Sequence, residues 1–357
     1  MSKETYPFYK EKRDARLSEV PEELTLMRRT RQNSPEGYRP GKGLIDAVNV
    51  ALLLGQPLLL TGEAGTGKTQ LAYSLNWQIG FKTESPFVFE TKSTSTARDL
   101  FYSYDTVGRF HAAQTGEGSH DNRDYITYNA LGKAILFANL KAEVENAIPP
   151  DDAYFQSIPD GEWRKRSVVL IDEIDKAPRD FPNDILNEIE RMFFRITELN
   201  NKTIEVTEEK FRPVIILTSN SEKNLPDAFL RRCVYYNIDF PDKDELQMIV
   251  DERIGNIGMA RGEKDSRWFD VLIDLFEKLR QSGQMTKKPA TAELLGWITA
   301  ASRLCDYYKV SDEDDKRRDY LKSAKGVENI INPTLCVLLK NANDSESAKM
   351  TVEEWKK

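Results

Sequence analysis

Along the first two thirds of the chain, short unbroken apolar runs alternate with stretches of helical spacing. PLLLTG (57–62), FVFET (87–91), SVVLID (167–172), PVIILTSN (213–220) and VYYNIDF (234–240) read as strands. Runs this short, without polar alternation, suit strands covered on both faces of a parallel sheet. GLIDAVNVALLLG (43–55) and KTQLAYSLNWQIG (68–80) have helical spacing, and each stops at a glycine. The alternation predicts an α/β core with a five-stranded parallel sheet over 41–241. After Pro241 the pattern is helical throughout, which predicts an α-helical domain and tail over 242–357. Residues 1–40, charged and ending in NSPEGYRPGKG, read as an arm and linker.

Two segments break the rhythm. Residues 101–132 hold few aliphatics and several aromatics and glycines, and are expected to be an exposed insertion. Residues 194–213 alternate around Asn200-Asn201, which predicts a β-hairpin.

Composition narrows the setting. With 357 residues, two domains are expected. The net charge of −7 weighs against a nucleic-acid partner, and WRKR at 163–166 reads as decoration at the start of a strand. The longest apolar run, Val48–Leu60, is interrupted by Gly55, Gln56 and Pro57, so no membrane insertion is expected. The N-terminus lacks a signal-peptide core, and a cytoplasmic location is expected. Cys233, Cys305 and Cys336 read as three buried thiols, and two histidines make a His-based metal site a poor expectation.

The candidate chemistry starts at GEAGTGKT, residues 62–69, which fits G-x-x-x-x-G-K-[ST] between a strand and a helix. Gly62, Gly65 and Gly67 let backbone N–H groups turn inward on phosphate oxygens, and the next helix adds its N-terminal dipole. Glu63, Ala64 and Thr66 complete the loop, and Gln70 follows it. Lys68 is placed to neutralise the β- and γ-phosphates and the Thr69 hydroxyl to ligate Mg²⁺. No guanine-reading NKxD is present, since Asn201-Lys202-Thr203-Ile204 lacks the aspartate, so ATP is the expected nucleotide.

The strand 167–172 runs into Asp172 and Glu173 and then, past Ile174, Asp175. On a strand expected beside strand 57–62, Asp172 would meet the Mg²⁺ shell. Glu173 would polarise an attacking water, and adjacent Asp-Glu favours hydrolysis over transfer to an acceptor. Asp175 reads as a cap of the following helix. Asn220, at the polar end of the next strand, either contacts that water or the γ-phosphate or turns the chain. Arg231 and Arg232 end a short helix. They either complement its dipole or reach a neighbour's γ-phosphate as an arginine finger.

GEAGTGKT, VVLIDEIDKAPRDFPNDILNEIE, ILTSN and LPDAFLRRC, in that order, resemble the MoxR-like branch of the AAA+ ATPases, in the helix-2-insert clade. The resemblance covers roughly residues 40–300. It implies an AAA+ phosphate-loop core with a helical lid, and ATP bound with Mg²⁺ between protomers of a hexameric ring. By it, Asp172 and Glu173 match Walker B, Asn220 matches sensor 1 and Arg232, or else Arg231, matches the finger. The helix-2 insert would lie within 101–128 and the hairpin at 194–213 would precede sensor 1, both facing the pore or a partner. Sensor 2 departs from the pattern: KKPATAELLGW, 287–297, has no arginine, and Lys288 or Lys287 either substitutes as a point charge or is solvated. The implied activity is ATP-driven remodelling, maturation or activation of a client protein, typically one with a von Willebrand A domain. The alternatives are a nucleotide-gated signalling or defence switch with slow turnover, and a nucleic-acid motor subunit.

Overall fold

The computed structural model describes residues 35–356 apart from 82, 117, 221–224, 255–267 and 284. Most of the arm expected over 1–40 therefore lies outside the described residues. The first elements are α1 (Lys42–Leu54), β1 (Leu58–Gly62), α2 (Lys68–Gln78) and β2 (Phe87–Glu90). The insertion holds β3 (Tyr102–Tyr104), α3 (Thr106–Thr115) and β4 (Ile126–Tyr128). Then come α4 (Ala130–Phe137), β5 (Val168–Asp172), β6 (Phe193–Ile196), β7 (Lys202–Glu205), β8 (Val214–Thr218) and β9 (Val234–Ile238). The helices α1 and α2 stop where the sequence places glycines, at Gly55 (φ 62°) and Gly80 (φ 71°). Only glycine takes that left-handed conformation without penalty.

The five expected strands form one parallel sheet in the order β2-β5-β8-β1-β9. Strand β8 therefore separates the acidic strand β5 from β1, and the expected neighbourhood of 57–62 and 167–172 is corrected. Burial explains why the sequence left this open. β1, β5 and β8 are apolar on both faces and all take interior places, whereas β2 and β9 expose Val88 and Tyr235 and take the edges. Hydrophobicity does not order the three interior strands among themselves. Leu58, Leu60, Val168, Leu170 and Ile216 pack on one side with α1 and α2. Leu59, Val169, Ile171, Ile215 and Leu217 pack on the other with α4.

That second side also takes in the base of the insertion, which corrects the expectation of an exposed segment. Tyr102 and Tyr128, paired across β3 and β4, are each 1% exposed. Phe194 of β6 lies 5.4 Å from the Phe101 ring and 6.1 Å from that of Tyr128. The insertion's other side is exposed, and there α3 presents Val107 and Phe110. The expected hairpin is β6 and β7, paired antiparallel from Phe193↔Glu205 to Ile196↔Lys202. Asn200 (φ 56°) and Asn201 (φ 59°) turn it, as left-handed asparagines can. The pairing ends before 213, because a 3-10 turn at Glu209–Phe211 leads straight into β8.

The contacts divide the chain into two compact units, Tyr38–Phe240 and the remainder. The second is helical, with Lys243–Ile254, Trp268–Gln281, Thr291–Tyr307, Asp314–Lys322 and Asp344–Trp355 as its main elements. Trp297 sits at its centre, fully buried, its indole N–H donating to the Thr334 hydroxyl at 2.9 Å. No described helix is long and apolar enough to cross a membrane.

The thiols also differ from expectation. Cys305 is buried and Cys233 half-buried, but Cys336 is exposed, because the turn Leu335–Val337 puts Leu335 and Leu338 inward and the residue after Leu335 outward. Burial pushes the Cys233 thiol up to about 12 and the Cys305 thiol up to about 11. A thiol reagent at pH 8 is expected to modify one cysteine, Cys336, in the native protein and the other two only in denaturant; rapid native reaction of all three contradicts this packing. A Cβ on Gly132 in α4 would lie 2.0 Å from the Phe101 carbonyl oxygen. Gly132→Ala is thus expected to lower stability by about 1–3 kcal/mol in urea unfolding.

Candidate active site

The loop from β1 to α2 takes its shape from three glycines. Gly62, Gly65 and Gly67 have φ of 138°, 79° and 88°. At Gly62 even a Cβ is excluded, since it would stand 2.3 Å from the Ile238 carbonyl oxygen of β9. At Gly67 it would meet the Tyr38 ring at 3.0 Å, which places an aromatic from the linker before α1 against the loop. The Thr66 hydroxyl donates to the Glu63 carbonyl at 2.9 Å, bracing a tip where Glu63 and Ala64 are exposed.

Lys68 opens α2 and is 6% exposed. Its ammonium donates to the Gly62 and Glu63 carbonyls at 2.9 and 2.8 Å, spanning the loop. Burial holds its pKa below the usual lysine value, opposed by the carboxylates of Asp172, Asp175, Glu173 and Glu63. A cation held in place while partly desolvated favours an arriving polyanion. The Thr69 hydroxyl donates to Asp172 at 3.0 Å (Oδ1) and 3.3 Å (Oδ2). Gln70 follows with its side-chain oxygen buried and without a hydrogen-bond partner among the described residues.

The acids of β5 are tied to β8 through a residue that the sequence reading did not single out. Thr218, 1% exposed, donates its hydroxyl to Asp172 Oδ1 at 2.5 Å and accepts the Glu173 backbone N–H at 2.8 Å. The sequence signal is a polar end to a buried strand, and that signal alone does not separate Thr218 from Asn220 in the same TSN. Asn220 does reach the acids, as its amide donates to Glu173 Oε1 at 3.0 Å. Its backbone N–H donates to Asp175 Oδ1 at 3.3 Å. Asp175 is therefore not the cap of the next helix. That helix, Phe181–Asp184, begins five residues beyond the short 3-10 turn Ile174–Lys176, and Asp175 is turned inward, 3% exposed, onto the β8 end. The Ser219 N–H donates to Leu60 O at 2.9 Å and closes the group against β1.

Arg231 is exposed, and Arg232 is turned onto Glu190 at 3.1 Å and the Ala228 carbonyl at 2.9 Å. Lys287 and Lys288 are exposed in the other unit, in the loop before Thr291–Tyr307 rather than on that helix.

The arrangement fits a magnesium nucleotide. No described group of three or more His, Cys, Asp or Glu side chains could hold a metal by itself. Mg²⁺ commonly takes one or two protein oxygens and fills its shell with phosphate oxygens and water, and the touching Thr69 hydroxyl and Asp172 carboxylate are such a pair. The five-stranded parallel sheet, the glycine loop opening α2 and the acids at the end of β5 define a phosphate-loop nucleotide-binding protein. Residues 57–233 match the AAA domain of the dynein-related subfamily, and the chain carries the AAA+ fold, an α/β core followed by a helical region. Domain III of the replication initiation protein DnaA from Thermotoga maritima is similar at 13% identity and a TM-score of 0.38, over 80% of this chain and 94% of that one. No curated protein matches the sequence.

Thr218→Val removes a buried hydroxyl that two groups use. It is expected to cost about 1–3 kcal/mol of unfolding free energy, with Thr218→Ser close to the parent. Equal stability of all three proteins in urea would show that the bridge contributes nothing.

Proposed function

We propose that the protein is a Mg²⁺-dependent ATPase of the MoxR-like AAA+ branch that works as a ring, hydrolysing ATP at subunit interfaces to remodel, mature or activate a partner protein. The observation that carries the reading is the hydrogen-bonded chain Thr69–Asp172–Thr218–Glu173–Asn220, which brings a metal-ligand pair and a water-orienting pair together across adjacent strand ends. Loop N–H groups and Lys68 bind and orient the phosphates. Bound Mg²⁺ supplies charge neutralisation on them. Glu173 takes a proton from the attacking water as the new O–P bond forms and the bond to the leaving ADP oxygen breaks; Asn220 fixes the Glu173 carboxylate for that transfer. ATP rather than GTP is the substrate on this reading, because no guanine-reading segment accompanies the loop.

Ring assembly is supported by Arg232, whose pair with Glu190 joins two largely exposed side chains. Such a pair holds weakly, leaving the guanidinium able to serve a neighbour's γ-phosphate, with Arg231 as the alternative. Lys288 is the candidate lid cation. The exposed Val107 and Phe110 of α3 supply apolar contact for a protein client, and a von Willebrand A-domain protein is the proposed one. A cytoplasmic site of action goes with this reading.

Lys68→Ala is expected to lose ATP binding. Glu173→Gln is expected to bind ATP with a kcat about 10²- to 10⁴-fold lower, the usual share of a general base. Retained turnover in Glu173→Gln contradicts the assignment. Arg232→Ala is expected to bind ATP without hydrolysing it and to regain activity when mixed with Glu173→Gln subunits, since one kind of interface in the mixture then has both groups intact; full turnover of Arg232→Ala alone would transfer the finger elsewhere.

A further inference from the structure

Glu173 is engaged from two sides. Its Oε1 accepts from the Asn220 amide at 3.0 Å, and its Oε2 is paired with the ammonium of Lys176. The second contact is a product of the backbone. Glu173 has φ 55° and ψ 50°, a left-handed conformation uncommon for a residue with a side chain, and it heads the 3-10 turn Ile174–Lys176. The turn closes with the Lys176 N–H donating to the Glu173 carbonyl at 2.9 Å. The turn folds residue 176 back onto residue 173, so the fold itself brings Lys176 to Glu173.

A carboxylate that is to receive a proton from water must present a lone pair to that water. Here an ammonium competes for the lone pairs of one oxygen while an amide occupies the other. We infer that Lys176 is a positioning residue that latches Glu173 in a resting pose, and that hydrolysis proceeds from the unlatched pose. The inference rests on the proposed role of Glu173 as the base. The side chains of Lys176 and Glu173 are 45% and 37% exposed, so the pair is solvated and its hold is slight. An exposed pair biases an equilibrium by up to about fivefold, enough to set a basal rate and little enough to be released in every cycle.

The test is steady-state ATPase kinetics on the full chain with parent, Lys176→Met, Lys176→Gln, Lys176→Arg, Glu173→Gln and the Lys176→Met/Glu173→Gln double variant. Lys176→Met and Lys176→Gln are expected to raise kcat about two- to fivefold with KM for ATP within about twofold. Lys176→Arg, which keeps the cation, is expected to match the parent, and the double variant to be as slow as Glu173→Gln. Raising the salt is expected to shrink the ratio of Lys176→Met to parent, because screening loosens the pair only where it exists. An unchanged or lower kcat in both uncharged variants overturns the latch. If the parent turns over and Glu173→Gln does not, that failure leaves the ATPase reading standing. If neither the parent nor any Lys176 variant turns over, the hydrolysis reading falls and the latch with it.

Discussion

The hydroxyl of Thr218 is the point on which the site depends. It stands between β5 and β8, donates to Asp172 and accepts from the backbone of Glu173. A carboxylate at the end of a buried strand is costly without partners. Asp172 has two hydroxyl donors, from Thr218 behind it and Thr69 across from it. The same hydroxyl accepts the Glu173 N–H where the chain leaves β5, at the left-handed residue that heads the 3-10 turn Ile174–Lys176. Asp175 then buries its carboxylate against the Asn220 backbone, so each acid of DEID meets a different donor on β8 or the segment just after it.

The two insertions act as one body with the core rather than as appendages. Phe194 of the hairpin shares a cluster with Phe101, Tyr102 and Tyr128 of the insertion base. Glu198, at the hairpin turn, accepts the Tyr102 hydroxyl at 2.8 Å, and its carbonyl accepts the Asn122 amide at 2.9 Å. Burial, and then that contact, raises the Tyr102 pKa, so the phenol stays a donor. The hairpin turn is thus joined through Asn122, which also accepts from Arg109 of α3 at 2.9 Å, to the helix that exposes Val107 and Phe110.

Much of the site was legible because its chemistry is local. GEAGTGKT needs left-handed backbone at set positions, and glycine supplies it at Gly62, Gly65 and Gly67. The acids after VVLI could be noticed because carboxylates seldom end a buried strand without purpose. Thr218 is not legible in the sequence, because its importance lies in a neighbour forty-six residues earlier. Lys176 carries no signal, since a lysine after acidic residues is ordinary until the turn is seen to fold it back onto Glu173. The insertion base is buried against expectation because its aromatic, aliphatic-poor sequence is covered by another aromatic, Phe194, from a distant element.

By itself the sequence determined the five strands, the helix stops at Gly55 and Gly80, the phosphate loop and the hairpin turn at Asn200-Asn201. Each is set by periodicity or by a backbone conformation that a particular residue permits, and both are short-range. Tertiary structure alone decided that β8 separates β5 from β1, that Asp175 turns inward and that Cys336 stays outside. It alone joined Thr69, Asp172, Thr218, Glu173 and Asn220 into one network. Three strands apolar on both faces are interchangeable as a pattern, and only the packing of helices on both sides of the sheet fixes their order and, with it, which side chains meet.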